Sequence, residues 1–246
     1  TAAFPKVAVV LDVGGMVDSS WFKENEKIQS VLLAWQAGIE GGLAIADILC
    51  ADANPSGKLV DTFAGSFDDY PSSAGFNDSD DYVDYTEDIY VGYRYFETIP
   101  GAAEKVNYPF GYGLSYTSFA IRNCCGMLEK AENGTQIVVE ASVTNVGKLA
   151  GKEVVQLYYS APQGRLGKPA RALGAFAKTR CLQPGETQQV TLRLAADSMA
   201  SYDDTGKIAK SAYVMEAGEY GFYLGNSVRN TEKVSFVYKE EADRVV

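Results

Sequence analysis

Two short apolar runs near the start of the chain predict buried parallel strands. They are Val7-Ala8-Val9-Val10-Leu11 and Val31-Leu32-Leu33-Ala34-Trp35. Neither run alternates with polar residues, which is typical of strands covered on both faces. So small a sheet would leave backbone groups and side chains uncovered. We therefore expect this region to dock against upstream sequence, a second copy of the chain or another polypeptide.

The run from Glu40 to Cys50 predicts a helix after the second strand. The turn Asn54-Pro55-Ser56-Gly57 ends this section, and a third strand is expected near Leu59 to Phe63. Alternating strands and helices indicate an α/β architecture. The packed face of the helix would be lined by Leu43, Ala44, Ala46 and Ile48.

Between residues 66 and 84 the composition changes to Asp, Ser, Gly and Tyr without Lys or Arg, which predicts a long surface loop. Aromatic and β-branched residues return at Tyr90 to Phe96. The stretch from Tyr108 to Phe119 combines five aromatic residues with two glycines. Such a composition favours an ordered connection over a flexible linker.

After Phe119, segments of period two replace the helical pattern. They are Gln136 to Val143, Val154 to Tyr159, Gln188 to Leu194 and Tyr220 to Leu224. Turns such as Gln183-Pro184-Gly185-Glu186 separate them, so residues 122–240 are predicted to form an antiparallel β-sandwich of immunoglobulin or fibronectin type. Its core should include alternate positions of these strands: Val139, Val143, Val155, Leu157, Leu192 and Leu194.

Composition and charge narrow the functional classes. The 246 residues favour two domains and include no histidine, which excludes a Ser-His-Asp triad or an imidazole base within this chain. A net charge of −10 would repel nucleic acid. Residues 1–120 hold six basic and eighteen acidic side chains, against sixteen and fourteen in residues 121–246, which suggests a domain boundary near residue 120.

The cysteines and the apolar runs of the sequence indicate in which cellular compartment the protein is expected. The four cysteines, which include the neighbours Cys124 and Cys125, show no CxxC spacing and are interpreted as reduced thiols, which favours a cytoplasmic location over secretion. No apolar run approaches the roughly 18 residues that span a bilayer, so no membrane association is expected. The chain begins at Thr1 and reaches a strand within a few residues, so we expect a longer parent protein.

Candidate chemistry concentrates in the segment Tyr85-Thr86-Glu87-Asp88-Ile89-Tyr90 and in Arg94. Carboxylates among aromatic rings resemble a sugar-binding surface, where rings stack on a pyranose and acids bind its hydroxyl groups. In the alternative interpretation, Glu87 or Asp88 pairs with Arg94 and the tyrosines fill an interdomain seam. Tyr85, Glu87, Asp88 and Arg94 are therefore candidates for a substrate site or an interdomain contact.

Three other motifs are weak evidence for a function. The glycines at residues 38–42 lack the GxGxxG spacing, and Glu40 would oppose a pyrophosphate. Gly57-Lys58 lacks the other residues of a phosphate loop, and a turn into the next strand explains it. The acidic run Asp78 to Asp88 could bind calcium, but a solvated loop is the favoured interpretation. No cofactor and no metal are expected.

Five sequence blocks resemble the C-terminal signatures of family 3 glycoside hydrolases, the β-glucosidase group. They are residues 34–38, 45–49, 54–59, 87–95 and 109–117 (AWQAG, IADIL, NPSGKL, EDIYVGYRY and PFGYGLSYT). Further blocks at 144–147, 151–158 and 182–186 (TNVG, GKEVVQLY and LQPGE) resemble the fibronectin type III-like domain that follows in many members. The resemblance implies residues 1–120 as the end of an α/β sandwich domain with a connecting loop, and residues 121–246 as the fibronectin type III-like sandwich.

The resemblance also implies a retaining β-glycosidase with a barrel-type domain that carries the nucleophilic Asp. The acid/base Glu of the family typically lies just upstream of a strand corresponding to Val7 to Leu11, where this chain has Thr1 to Lys6 and no Glu. No catalytic residue is therefore assigned to this chain, and alone it is expected to be inactive. The chain departs from the family at Asp12, where Asn is common, and at Ile39, where a polar residue is common.

Two hypotheses follow. In the first, the chain is part of a β-glycosidase that acts on a β-linked glucoside or oligosaccharide, with the barrel domain in the same or another chain and a homo-oligomer as a further option. In the second, it is a non-catalytic carbohydrate-binding or interaction module with the same domains. Fold alone cannot separate them. A barrel domain in the parent reading frame would support the enzyme.

Overall fold

A computed structural model describes residues 4–132 and 134–246 and divides into two compact units. Unit 1 comprises residues 1–55 and 59–110, and unit 2 comprises residues 56–58 and 111–246. No helix among the described residues combines the length and apolar character needed to cross a membrane.

Unit 1 contains the two expected parallel strands and the expected helix. β1 (Ala8–Leu11) pairs in parallel with β2 (Ser30–Leu33), and Val9 lies opposite Val31. The short α1 (Ser20–Lys23) lies between them in sequence, and α2 (Gly41–Leu49) follows β2. These elements confirm the α/β pattern predicted for the first section.

These elements are partly uncovered within this chain, as the small size of the sheet led us to expect. Val10 on β1 is 37% exposed, and Leu43 and Leu49 on α2 are 66% and 50% exposed. Only Gly41 is buried within the helix. The apolar pattern is that of covered elements, but the described residues of this chain do not supply the cover.

The third strand expected near Leu59 to Phe63 does not join β1 and β2. Instead, β3 (Phe63–Ala64) pairs antiparallel with β4 (Val106–Tyr108). The Tyr70 hydroxyl donates to the Thr62 carbonyl at 2.9 Å and accepts from the Ala64 amide at 2.8 Å. A side chain therefore satisfies backbone groups that a longer strand would have paired in a ladder.

The predicted long loop after residue 66 contains two single turns of 3₁₀ helix, Phe67–Asp69 and Ser73–Gly75. Ser66 caps the first of them in a reciprocal bond with Asp69. Further along the chain come α3 (Tyr93–Phe96) and the 3₁₀ turn Ala102–Lys105. These turns enclose a small core whose buried members are Ala64, Phe96, Ala102 and Val106.

Unit 2 is an antiparallel sandwich, as predicted. Its sheets have the strand orders β5-β6-β9, β13-β12-β7-β8 and β10-β11-β14. The strands are β5 (Phe119–Ala131), β6 (Gly134–Asn145), β7 (Val154–Ser160), β8 (Ala172–Lys178), β9 (Thr187–Ala195), β10 (Ser201–Asp203), β11 (Ala212–Met215), β12 (Gly218–Gly225), β13 (Thr231–Glu240) and β14 (Arg244–Val245).

The core of unit 2 contains all six residues named from the alternating pattern. Each is at most 5% exposed, and they pack with Tyr220 and Phe222 of β12. Within the described part of residues 122–240, the one helical element is the 3₁₀ turn Ala196–Met199. The prediction of a β-sandwich without a long helix is therefore confirmed.

Candidate functional site

The candidate site is the segment of residues 85–94, which we call the acidic–aromatic loop. Two backbone bonds shape its first half, from the Asp88 amide to the Tyr85 carbonyl at 3.3 Å and from the Tyr90 amide to the Glu87 carbonyl at 2.8 Å. Asp88 adopts a left-handed φ of 49°. These turns bring Tyr85, Glu87 and Asp88 together at one bend of the chain.

The four candidate residues have different surroundings. Tyr85 is 92% exposed, and Asp88 is also exposed. Glu87 is half-buried and accepts a hydrogen bond from the Ser72 hydroxyl at 2.9 Å. Arg94 is exposed on α3, and among the described residues it makes no ion pair with Glu87 or Asp88. The carboxylate–Arg94 pair of the alternative interpretation is therefore not formed among the described residues, and the interdomain role of these residues stays a prediction.

The loop is anchored to the small core at its end. Gly92 precedes α3 with a φ of 58°, a conformation that favours glycine. One turn later, Phe96 is buried with its ring edge-on to that of Tyr70, at 5.6 Å between centroids. Burial raises the pKa of Tyr70 above its ordinary value, and its hydroxyl donates to the Thr62 carbonyl. The base of the loop is thus held by packing, while its tip faces outward.

Several apolar side chains in residues 67–91 are exposed. Two exposed rings in the preceding turns, Phe67 and Phe76, contact each other edge to face at 6.4 Å. Large exposed apolar patches mark binding or docking sites in soluble proteins, so these side chains are candidates for contact with a ligand or a partner. The exposed apolar residues nearest in sequence to the tip are Tyr82, Val83, Ile89 and Val91.

The loop thus presents the groups that stacking on and hydrogen bonding to a sugar require. An exposed tyrosine ring suits the apolar face of a pyranose, and the Glu87 and Asp88 oxygens can accept bonds from its hydroxyl groups. Among the described residues, no group of three or more His, Cys, Asp or Glu side chains is arranged to hold a metal ion.

Two of the described cysteines, Cys50 and Cys181, are free. The Cys125 thiol donates to a Glu140 carboxylate oxygen at 3.6 Å. The side chain of Cys124 lies outside the part of the chain that the structure describes.

Sequence reasoning missed a buried network in unit 2 that joins three of the signature blocks. The Lys58 ammonium lies 2.8 Å from a Glu153 carboxylate oxygen and 3.2 Å from the Gly113 carbonyl oxygen. Glu153 also accepts a bond from the Asn226 amide at 3.0 Å. Both charged side chains are mostly buried, at 12% and 7% exposure. Nothing in the sequence indicates that Lys58 is buried, because a lysine that follows Pro-Ser-Gly is typical of an exposed surface turn.

The glycines of these blocks are explained by close backbone approach. A Cβ atom at Gly113 would lie 2.2 Å from the Gly57 carbonyl oxygen, and one at Gly111 would lie 2.3 Å from the Gln156 side chain. Gly111 also has a φ of 80°, which disfavours other residues. Blocks 54–59, 109–117 and 151–158 therefore maintain the fold of unit 2.

Comparison with known proteins gives two family matches. Residues 1–116 match the glycosyl hydrolase family 3 C-terminal domain, and residues 153–228 match the fibronectin type III-like domain. The chain is 58% identical over 254 aligned residues to beta-glucosidase A of Butyrivibrio fibrisolvens, which covers 99% of this chain and 31% of that protein.

Solved structures agree with these matches. A beta-glucosidase from Paenibacillus barengoltzii is 52% identical with a TM-score of 0.92, over 98% of this chain and 27% of its own. Beta-glucosidase 3B from Thermotoga neapolitana, solved in complex with glucose, is 38% identical with a TM-score of 0.82, over 98% of this chain and 32% of its own. The chain thus spans about a third or less of the proteins it matches. It belongs to the family 3 glycoside hydrolases, in which it corresponds to the C-terminal domain followed by the fibronectin type III-like domain.

Proposed function

We propose that this chain is the C-terminal portion of a retaining β-glycosidase, a β-glucosidase, and that it completes and covers an active site made largely by other segments. The observation that carries the proposal is the 58% identity to a beta-glucosidase over 99% of the chain. In a retaining mechanism two carboxylates stand about 5 Å apart across the glycosidic bond. This chain has no residue at a matching position, so both belong to the remaining polypeptide.

The contribution of this chain to substrate is binding and enclosure. The Tyr85 ring would stack on a sugar, and Glu87 would accept a bond from a sugar hydroxyl. Glu87 is held for this role by its bond from Ser72. Enclosure removes water from the reacting bond and strengthens every polar contact within the site.

The exposed apolar surface of unit 1 supports a further polypeptide partner. Ile39 is fully exposed, Leu43 on α2 is 66% exposed, and Val10 on β1 is 37% exposed. Burying one such side chain stabilises a protein by about 1.5–3 kcal/mol, so leaving several exposed is costly. The favoured occupant is a barrel-type catalytic domain in the same chain or a separate one. A second copy of this chain is the other occupant, and sedimentation of the isolated chain separates the two.

A chimera tests the function directly. This chain would replace the matching segment of beta-glucosidase A from Butyrivibrio fibrisolvens, and hydrolysis of an aryl β-glucoside would be measured. We expect the chimera to retain hydrolysis within about tenfold of the parent enzyme, because the catalytic carboxylates come from the parent and the fold is shared. A folded chimera without activity would support the second candidate, a non-catalytic carbohydrate-binding or interaction module.

The acidic–aromatic loop can be tested within the same chimera. Loss of a hydrogen bond to a charged group costs about 1.5–3 kcal/mol, so Glu87→Gln should lower kcat/KM for cellobiose about 10- to 100-fold. Glu104→Gln, at an exposed carboxylate in the 3₁₀ turn Ala102–Lys105, is the matched control and should change it less than twofold. If the two variants had the same kcat/KM, the loop would not be part of the substrate site.

A cytoplasmic location is proposed on the described thiols, since Cys50 and Cys181 form no disulfide. Fractionation of the source cells tests it, and recovery of the protein from the extracellular medium would contradict it.

A further inference from the structure

Two exposed tyrosine rings stand side by side on a small sheet of unit 2, far along the chain from the candidate site. Tyr202 on β10 lies directly opposite Tyr213 on β11 in the antiparallel register. Their ring centroids are 5.2 Å apart, with ring planes inclined at 60°. The residues are 52% and 58% exposed, and within the described chain neither hydroxyl has a hydrogen-bond partner.

The backbone that carries the rings is held firmly. Beside Tyr202, the fully buried Asp203 carboxylate accepts four bonds of 2.7–3.0 Å from the amides of Gly206, Lys207, Ile208 and Ala209. Burial raises the pKa of Asp203, but these four donors outweigh it and lower the pKa to about 2. The connection between the two strands is therefore fixed, and on the inner side Val214 is fully buried.

The size of the patch identifies the kind of occupant. An aromatic residue buries roughly 150–250 Å² when covered, so two half-exposed rings offer on the order of 200 Å². Val246, whose amide bonds the Tyr213 carbonyl at 2.9 Å, adds a further half-exposed apolar side chain. A standard protein interface needs about 800 Å² from each partner. The patch is too small for a protein and fits one or two sugar rings.

We propose that Tyr202 and Tyr213 form a non-catalytic surface that binds β-linked glucan chains. One ring stacks under a pyranose, and the inclined second ring bounds its edge. Both free hydroxyls can bond the sugar hydroxyl groups, which suits an amphipathic ligand better than a purely apolar one. The choice of a β-linked glucan rests on the proposed function. Such a surface would hold a polymeric substrate near the enzyme and raise its local concentration.

Affinity electrophoresis of the 246-residue chain tests this surface without any catalytic step. Native gels would contain soluble mixed-linkage β-glucan, or dextran as the α-linked reference. We expect β-glucan to retard the chain, and the double variant Tyr202→Ala/Tyr213→Ala to weaken binding about tenfold or more. Tyr202→Phe/Tyr213→Phe should retain most of the retardation because the rings remain. Phe176→Ala, at a single ring on β8 that is 69% exposed, is the control and should bind as the unaltered chain does.

Three results would overturn the proposal: no retardation by β-glucan, equal retardation of the Tyr→Ala variant, or equal retardation by dextran. Self-association that disappears in the Tyr→Ala variant would also overturn it and identify the patch as an interface between copies. The outcome is independent of the chimera assay. An inactive chimera would leave the gel result intact, whereas loss of retardation would leave hydrolysis of a small aryl glucoside unchanged.

Discussion

The isolated 246-residue chain is expected to hydrolyse an aryl β-glucoside no faster than the uncatalysed reaction. Under the proposed function, the general acid and the nucleophile of a retaining glycosidase both come from other segments, and proton transfer by a positioned acid alone contributes about 10²- to 10⁴-fold. The chain also lacks histidine, which removes the commonest substitute for either group. The measurement is release of the aryl alcohol by the purified chain.

The chimera described above is the positive control for this assay, because it supplies the missing carboxylates around the same 246 residues. Activity that survives repeated purification of the isolated chain, at a rate near that of the chimera, would show that a catalytic pair exists here after all. Repeating the purification separates such activity from a contaminating host glycosidase.

Replacing Glu216 by Gln is expected to destabilise unit 2 by about 3–5 kcal/mol, the cost of leaving one partner of a buried ion pair unpaired. Glu216 and Lys168 form an ion pair in which the side chains are 4% and 2% exposed. Glu216 also accepts bonds from the Arg165 amide at 2.6 Å and the Leu166 amide at 3.2 Å. The pair therefore links the connection between β7 and β8 to the residue that follows β11.

Chemical denaturation followed by far-ultraviolet circular dichroism measures this effect, since most of the strands lie in unit 2. Glu129→Gln makes the same chemical change in an exposed ion pair, where Arg193 and Glu129 are 51% and 42% exposed, and should cost less than about 1 kcal/mol. If Glu216→Gln unfolds at the same denaturant concentration as Glu129→Gln, the buried pair does not stabilise the fold as argued.

The alternating sequence patterns predicted burial correctly where a strand has one face in solvent and the other in the core. β6 pairs with β9, β7 belongs to another sheet of the sandwich, and apolar residues of all three strands form one core. Successive side chains of a strand point to opposite faces, so apolar residues at every second position all lie on the same face and are buried together. Val139, Val155 and Leu192 could therefore be placed in the core without a structure.

Burial was predicted less well for unit 1. Its apolar strands and helix need other residues to pack against them, and the described residues of this chain do not provide these contacts. The run Val7 to Leu11 predicts a strand buried on both faces, yet Val10 is 37% exposed. The apolar and β-branched residues near Leu59 to Phe63 also suggest a strand, but the Tyr70 hydroxyl bonds the backbone there. A bond from a side chain several residues away leaves no periodic trace in the sequence.

The candidate site shows the same division. Composition alone identified Tyr85, Glu87, Asp88 and Arg94, because carboxylates and rings in one segment are a local property. Their partners are a property of the folded chain: Glu87 bonds Ser72 and not Arg94, because the turns before the loop bring residue 72 to it.

The sequence by itself determined the fold class of both sections, the sandwich core, the absence of histidine chemistry and the family resemblance, since each is written in residue types and local spacing. Only the tertiary structure decided that Lys58 bonds Glu153 and Gly113, that Asp203 holds the loop between two exposed tyrosines, and that Lys168 and Glu216 form a buried pair. These contacts join residues far apart in the chain. Their strength comes from exclusion of water, which exists only once the surrounding strands have packed.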